Sequence, residues 1–175
     1  SCSDAHSPSR IGREACVFKT NLSFEGISSA LSSREAEGLT FTIEFFPQEG
    51  KYHYSGHRVC ETVLSPQETR LSQRCPKCGS AVTLGVMHRV EELADRPAGY
   101  TPASSPYFKS LVPLEEIVAG ALQKQVGSVA VRNEYLRLTS IFDNEFNILL
   151  NLPIEELALA NEKVAEGVAK MREGR

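Results

Sequence analysis

Cys75 and Cys78 stand two residues apart in CPKCG, and His57 and Cys60 repeat that spacing upstream, giving the pattern H-x2-C-x14-C-x2-C. Two intervening residues let a tight turn aim both donors of a pair at one ion, and Gly79 permits backbone angles after Cys78 that other residues avoid. The pattern is that of a zinc ribbon and predicts a structural zinc held by His57, Cys60, Cys75 and Cys78. His53, at H-x6-C, is an alternative fourth ligand, although the paired spacing favours His57. Four protein ligands leave no open coordination position, so such a metal would hold a loop and not activate water. The competing reading of C-x-x-C is a redox pair, but no thioredoxin-like strand-to-helix pattern surrounds it.

A second group of metal-type residues opens the chain. Asp4 and His6, as Asp-x-His, can present a carboxylate and an imidazole to one ion, but two ligands do not make a catalytic site. Residues 7 to 52 contain no His and only one Cys, Cys16. Around the ribbon pattern lie basic groups interleaved with tyrosines: Lys51, Tyr52, Tyr54, Arg58, Arg74, Lys77, His88, Arg89 and Arg96. Cations reach phosphates and exposed rings stack on bases, so this set is a candidate nucleic-acid surface. The opposing reading is a solvated face, since Glu61, Glu68, Glu91, Glu92 and Asp95 dilute the charge. A histidine at the start of a helix, as His88 is, more often makes a structural hydrogen bond than a functional contact.

These residues need elements to position them. The chain has 175 residues, 41% of them apolar, enough for one ordinary domain or two small ones. A net charge of -3 excludes coating of nucleic acid by bulk positive charge and leaves room only for a local patch. No apolar run is long enough to span a membrane and no signal peptide is present, so a cytoplasmic location with no membrane partner is expected. Five cysteines, an odd number, suit metal ligation in a reducing compartment better than a disulfide framework. The chain lacks an initiator Met and starts abruptly at a polar motif, which suggests a fragment; oligomeric state is not readable.

Residues 1–20 read as polar and irregular. Ser23 is placed to cap a helix through about Ser32, with Phe24, Ile27 and Leu31 at helical spacing and Gly38 as a stop. LTFTIEFF then alternates as a strand, with Leu39, Phe41, Ile43 and Phe45 on one face. AVTLGV reads as a strand before a short helix at Arg89–Leu93. GYTPASSPYF is a loop that sets a boundary near residue 110. Beyond it, helices are expected after Pro113, through RNEYLRLTSIF and NEFNILL, and as a hinged pair in residues 153–175 that turns near Asn161. That pair is a candidate helix-hairpin-helix, whose hairpin amides would grip a DNA phosphate, provided Asn161 adopts the left-handed conformation. A plain packing hairpin is the alternative. The expected class is α+β: a small zinc-ribbon-like β-containing module at 21–110 followed by an α-helical C-terminal region at 111–175.

Longer motifs carry a resemblance. SDAHSP resembles the closing Asp-x-His motif of the polymerase and histidinol phosphatase (PHP) superfamily. IGREA, FTIEFFPQEGKYHYSGHRVC, CPKCG, GVMHRVEELADRP and PYFKSLVPLEEI resemble, in that order, the C-terminal half of endonuclease Q and its bacterial relatives, and the likeness continues through EFNILL and EKVAEGVAKMREGR. The resemblance implies a DNA-repair enzyme that recognises deaminated bases such as uracil and hypoxanthine and cuts on their 5' side. It implies that residues 1–20 are the tail end of a PHP domain, that Asp4 and His6 are ligands of its catalytic divalent metals (Zn, Mn or Mg), and that the zinc and helical parts engage DNA. The other PHP ligands are absent, so they are expected upstream, the chain alone is expected to be inactive, and residues 1–20 are expected to be poorly anchored. A different class stays open: a zinc-stabilised interaction or scaffold module of a PHP phosphoesterase acting on a small phosphate ester.

Overall fold

In the computed structural model, residues 5–33, 38–50, 52–103 and 105–174 are described. Strand β1 spans Ala15–Phe18. Helix α1, Phe24–Ser32, starts where expected because the Ser23 hydroxyl accepts the Gly26 amide at 3.0 Å, satisfying one of the orphan donors of the first turn. Strand β2 covers Leu39–Glu44. Short pieces follow: β3 at Ser55–His57, a 3-10 turn at Arg58–Cys60, β4 at Thr62–Leu64, α2 at Pro66–Leu71 and α3 at Val86–Leu93. Strand β5, Tyr107–Ser110, precedes five helices: α4 Leu114–Leu122, α5 Val129–Ile141, α6 Glu145–Leu150, α7 Ile154–Ala160 and α8 Glu162–Arg172. The fold is α+β, as the sequence predicts. No helix among the described residues is long and apolar enough to cross a membrane.

The chain divides into two compact units, residues 46–103 and the combination of 1–45 with 104–175. This division follows strand pairing and not order along the chain, since β2 pairs with strands on both sides of the inserted residues. In the larger unit β1 runs antiparallel to β2, and β5 lies parallel to β2 with Phe41 beside Tyr107. All of residues 46–103 are therefore inserted between two hydrogen-bonded neighbours of one sheet.

The core of the larger unit sits among its helices. Leu114 and Val118 of α4, Val131 and Leu138 of α5, Ile148 of α6, Leu157 of α7 and Val164 and Val168 of α8 are completely buried. Asn161 both ends α7 and caps α8, its Oδ1 accepting the Val164 amide at 3.2 Å. Its φ of -160° is extended, so the left-handed hairpin residue expected of a helix-hairpin-helix is not there. Instead the Asn161 Nδ2 donates to Glu134 at 2.7 Å, and Glu134 in turn accepts from Arg137, fastening the hinge to α5. Arg172, near the end of α8, donates to the carbonyls of Ile148, Leu149 and Leu152 and so closes the C-terminal ends of α6 and its following turn.

α1 departs from expectation in its buried face. Phe24 is 82% exposed and Leu31 60%, whereas Ala30 is buried. Ala30 lies against Gly38, where an added Cβ would stand 2.5 Å from the Ala30 Cβ. Gly38 thus serves close approach of the strand entry to the helix; the helix itself has already ended at Ser33.

The smaller unit has little apolar interior. Leu64 and Pro66 are buried, joined by Cys75 and by three polar side chains, Ser55, Thr69 and His88. The β3–β4 hairpin is its regular sheet. The expected AVTLGV strand is reduced to isolated bridges, Ala81 with Arg74 and Thr83 with Gly56, because the tight CPKCG turn leaves only single residues in register. α2 is closed by a capping box between Ser65 and Glu68.

Candidate metal centre

Two turns of the smaller unit build the centre. The first lies between β3 and β4: His57 ends β3, the 3-10 turn carries Cys60, and Glu61, at φ 48°, reverses the chain into β4. The second is Cys75-Pro-Lys-Cys-Gly. Here the Gly79 amide donates to the Cys75 carbonyl at 2.8 Å, the Cys75 amide donates to the Ser80 carbonyl at 2.8 Å, and Gly79 takes φ +75°. Paired hydrogen bonds of 2.9 Å between Gly56 and Thr83 tie the two turns together.

The result brings one atom each of His57, Cys60, Cys75 and Cys78 within 4.8 Å of one another. His57 Nδ1 is 3.4 Å from Cys78 Sγ. A tetrahedral ion with bonds of about 2.0–2.3 Å separates its donors by roughly 3.3–3.8 Å, so the His57–Cys78 pair is already at ligand spacing and the group suits a metal of zinc type. Of the two histidines that spacing allowed, His57 joins the group; the His53 ring instead meets the Tyr54 ring edge-on at 4.4 Å.

Electrostatics make the same point. Hydrogen bonding to Cys78, burial and the nearness of Cys75 push the Cys60 thiol up to about 11. Burial alone would raise the Cys75 thiol too, but the Thr62 hydroxyl at 3.5 Å and the amides of Lys77 and Cys78 outweigh it and bring the thiol down to about 6. One sulfur can therefore carry negative charge while its neighbour is held protonated. A bound cation removes that mutual repulsion, and metal binding accordingly releases protons. Thr62, two residues after Cys60, and Lys77, whose ammonium donates to the Cys60 carbonyl at 2.8 Å, are supports that no sequence motif announces.

The candidate nucleic-acid residues have mixed fates. Lys51 lies outside the described residues. Tyr52, Tyr54 and Arg58 are exposed on the first turn and its approach. Among the described candidates the Arg58 guanidinium makes neither a hydrogen bond nor an ion pair, whereas Arg89 bonds Glu92 at 2.9 Å and Arg74 bonds the Gly79 carbonyl at 3.0 Å. Arg96 is exposed and lies over the Tyr100 ring at 4.8 Å. His88 is turned inward: its Nδ1 is 3.0 Å from the buried Thr69 hydroxyl and its Nε2 3.6 Å from Glu92. The imidazole joins α3 to α2 and is not presented to a ligand; its neighbour Arg89 occupies the solvent side. Asp4 lies outside the described residues, and His6 is exposed.

Comparison with known proteins gives this arrangement a context. A family model described as the MJ0043 C-terminal domain matches residues 113–175. The uncharacterized protein MJ0043 of Methanocaldococcus jannaschii is 32% identical over 99% of the chain, which spans 23% of that protein. The crystal structure of the lesion-specific endonuclease PfuEndoQ from Pyrococcus furiosus superposes with a TM-score of 0.88 at 35% identity, over 98% of this chain and 44% of that one. A crystal structure of endonuclease Q in complex with a 27-mer duplex substrate, with an abasic lesion at the active site, gives a TM-score of 0.85 at 35% identity, over 99% of this chain and 45% of that one. The chain thus spans less than half the length of these relatives. Over nearly its whole length it is similar to one part of endonuclease Q, and residues 113–175 match the model of the MJ0043 C-terminal domain.

Proposed function

We propose that the chain is the zinc-binding, DNA-engaging part of a metal-dependent endonuclease that acts in the cytoplasm and cuts 5' of deaminated bases such as uracil and hypoxanthine. The observation that carries this reading is the likeness, at 35% identity across 99% of the chain, to an endonuclease Q held on a duplex substrate. The donor set supports the zinc: four protein ligands of nitrogen and thiolate type, gathered by two rigid turns, suit a closed structural ion whose binding energy is folding energy. The zinc module read at 21–110 has all four ligands inside residues 46–103. Its exposed Arg58, with Tyr52 and Tyr54 alongside in sequence, is the group placed to meet a phosphate or an unstacked base.

Asp4 and His6, with residues 1–20, are assigned in this reading to a PHP domain whose remaining ligands come from another part of the protein. Divalent metals at such a site supply polarisation of the phosphodiester and a nucleophile near neutral pH. With two ligands in hand, this chain by itself is expected to bind DNA without cutting it.

The test is binding of the chain to matched duplexes with and without one hypoxanthine, at two salt concentrations. Binding that weakens with salt and with Arg58→Ala supports DNA engagement, and preference for the lesion places recognition in this part. Absence of binding at the lower salt overturns the reading and favours a scaffold module beside a phosphoesterase acting on a small ester.

A further inference from the structure

The larger unit contains a cleft that neither the metal centre nor the proposed DNA surface uses. It is about 670 Å³ in volume and lies between the turn at Pro8–Arg10 and the helices α4 and α5. Three guanidiniums line it, those of Arg10, Arg13 and Arg132. Three carboxylates line it as well, so the charges must be followed to their partners. Glu145 accepts the Leu114 amide at 2.8 Å and the Tyr135 hydroxyl at 2.9 Å. Glu115 accepts the Gly127 amide at 3.2 Å, and Glu116 stands 3.7 Å from one terminal nitrogen of Arg13. Each carboxylate is thus already engaged.

Two of the three cations are not, and the third is met only in part. Among the described residues the side chains of Arg10 and Arg132 have neither a hydrogen bond nor an ion pair, and the Arg13 Nε–H is buried with no acceptor. A buried donor without a partner costs about 1–3 kcal/mol and is rare in native proteins unless a water or ligand completes it. The Ser128 hydroxyl is a second buried group lacking a partner. It opens α5 directly after Gly127, which lines the cleft, and gives that helix no side-chain cap; no acidic residue follows in the first turn. Three arginines, and Gly127 just before the positive end of a thirteen-residue helix, therefore line the same cleft.

We infer that this cleft binds a phosphate-type oxyanion through Arg10, Arg13 and Arg132, borne either by a strand of nucleic acid or by a small phosphate ester. Forked guanidinium donors match the spacing of phosphate oxygens, and the volume exceeds that of phosphate alone, leaving room for the organic part of the ligand. The lining residues of the cleft all belong to the larger unit, whereas the four candidate zinc ligands lie in residues 46–103.

The experiment titrates inorganic phosphate into the chain at constant ionic strength set with chloride, following the unfolding midpoint and the 31P resonance. The expected result is saturable binding that weakens about tenfold or more in Arg132→Gln and in Arg10→Gln, as loss of a charge-assisted hydrogen bond requires. Both residues are exposed, so circular dichroism of the variants should match that of the parent. A short single-stranded oligodeoxynucleotide forms the second arm: competition with phosphate identifies the strand as the source, and saturable phosphate binding without competition identifies a small ester. A midpoint that follows ionic strength alone, or phosphate binding unchanged in both variants, overturns the site.

Discussion

The two units of this chain solve the problem of staying folded by different means. In the larger one, side chains from five successive helices interlock at zero exposure, so hydrophobic burial carries the structure. In the smaller one, the buried positions are few and several are polar, and Cys75, at 1% exposure among its most buried side chains, belongs to the candidate metal group. A module of that size with so small an apolar interior needs a staple. The contrast teaches that one chain can contain a part held by its own apolar core and a part whose few buried positions converge on a group that could hold a metal ion.

Removing the staple should separate the units most sharply. Cys75→Ser, or exhaustive chelation, is expected to unfold residues 46–103 while α4 to α8 persist, because binding of a structural zinc contributes on the order of 10 kcal/mol. Hydrogen exchange resolved by segment reads the outcome, and equal loss of protection in α4 to α8 would break the comparison. The reciprocal change is Leu138→Ala in α5, which empties a site at zero exposure and should cost about 2–5 kcal/mol in chemical unfolding of the larger unit. Metal content measured on the same variant should be unchanged.

Asn161→Ala removes the α8 cap and the bond to Glu134, and about 1 kcal/mol of stability with them, seen as a lower denaturant midpoint. The smallest effect is a pH dependence. The Arg137 guanidinium, with the Asn161 amide, holds the Glu134 carboxyl below its ordinary 4.5 against the opposing effect of burial. A depressed carboxylate stabilises the fold above its unfolded value and loses that contribution as pH falls through the folded value. The midpoint difference between the parent and Glu134→Gln should therefore be under about 1 kcal/mol at neutral pH and should shrink below pH 4.5.

The metal centre was legible because its ligands are paired at short spacing, and such pairs need only a local turn to converge. Paired spacing favoured His57 over His53, and the β3–β4 hairpin carries His57 to its end, where it joins the group. The helices after Pro113 were legible for a similar reason, since their apolar period reports their own inner face. α1 shows where that logic stops. Phe24 and Leu31 of its apolar stripe are exposed and only Ile27 is half-buried, because the small Ala30 and Gly38 permit the closest approach and close approach decides the packing. His88 shows another limit: its partner Thr69 sits on a different helix, and nothing local in the sequence marks the pair. The parallel pairing of β2 with β5 was not legible at all, because such pairing leaves no trace in either strand alone.

That parallel pairing bears on how the chain acquires its shape. Phe41 can meet Tyr107 only after the whole intervening segment has been looped out, and the entropy of closing a loop rises with its length. Once residues 46–103 have condensed around their ion, the effective loop is much shorter. Metal availability should then quicken completion of a sheet that contains none of the ligands, and refolding without the ion should stall with the helices formed and β5 still searching for its neighbour.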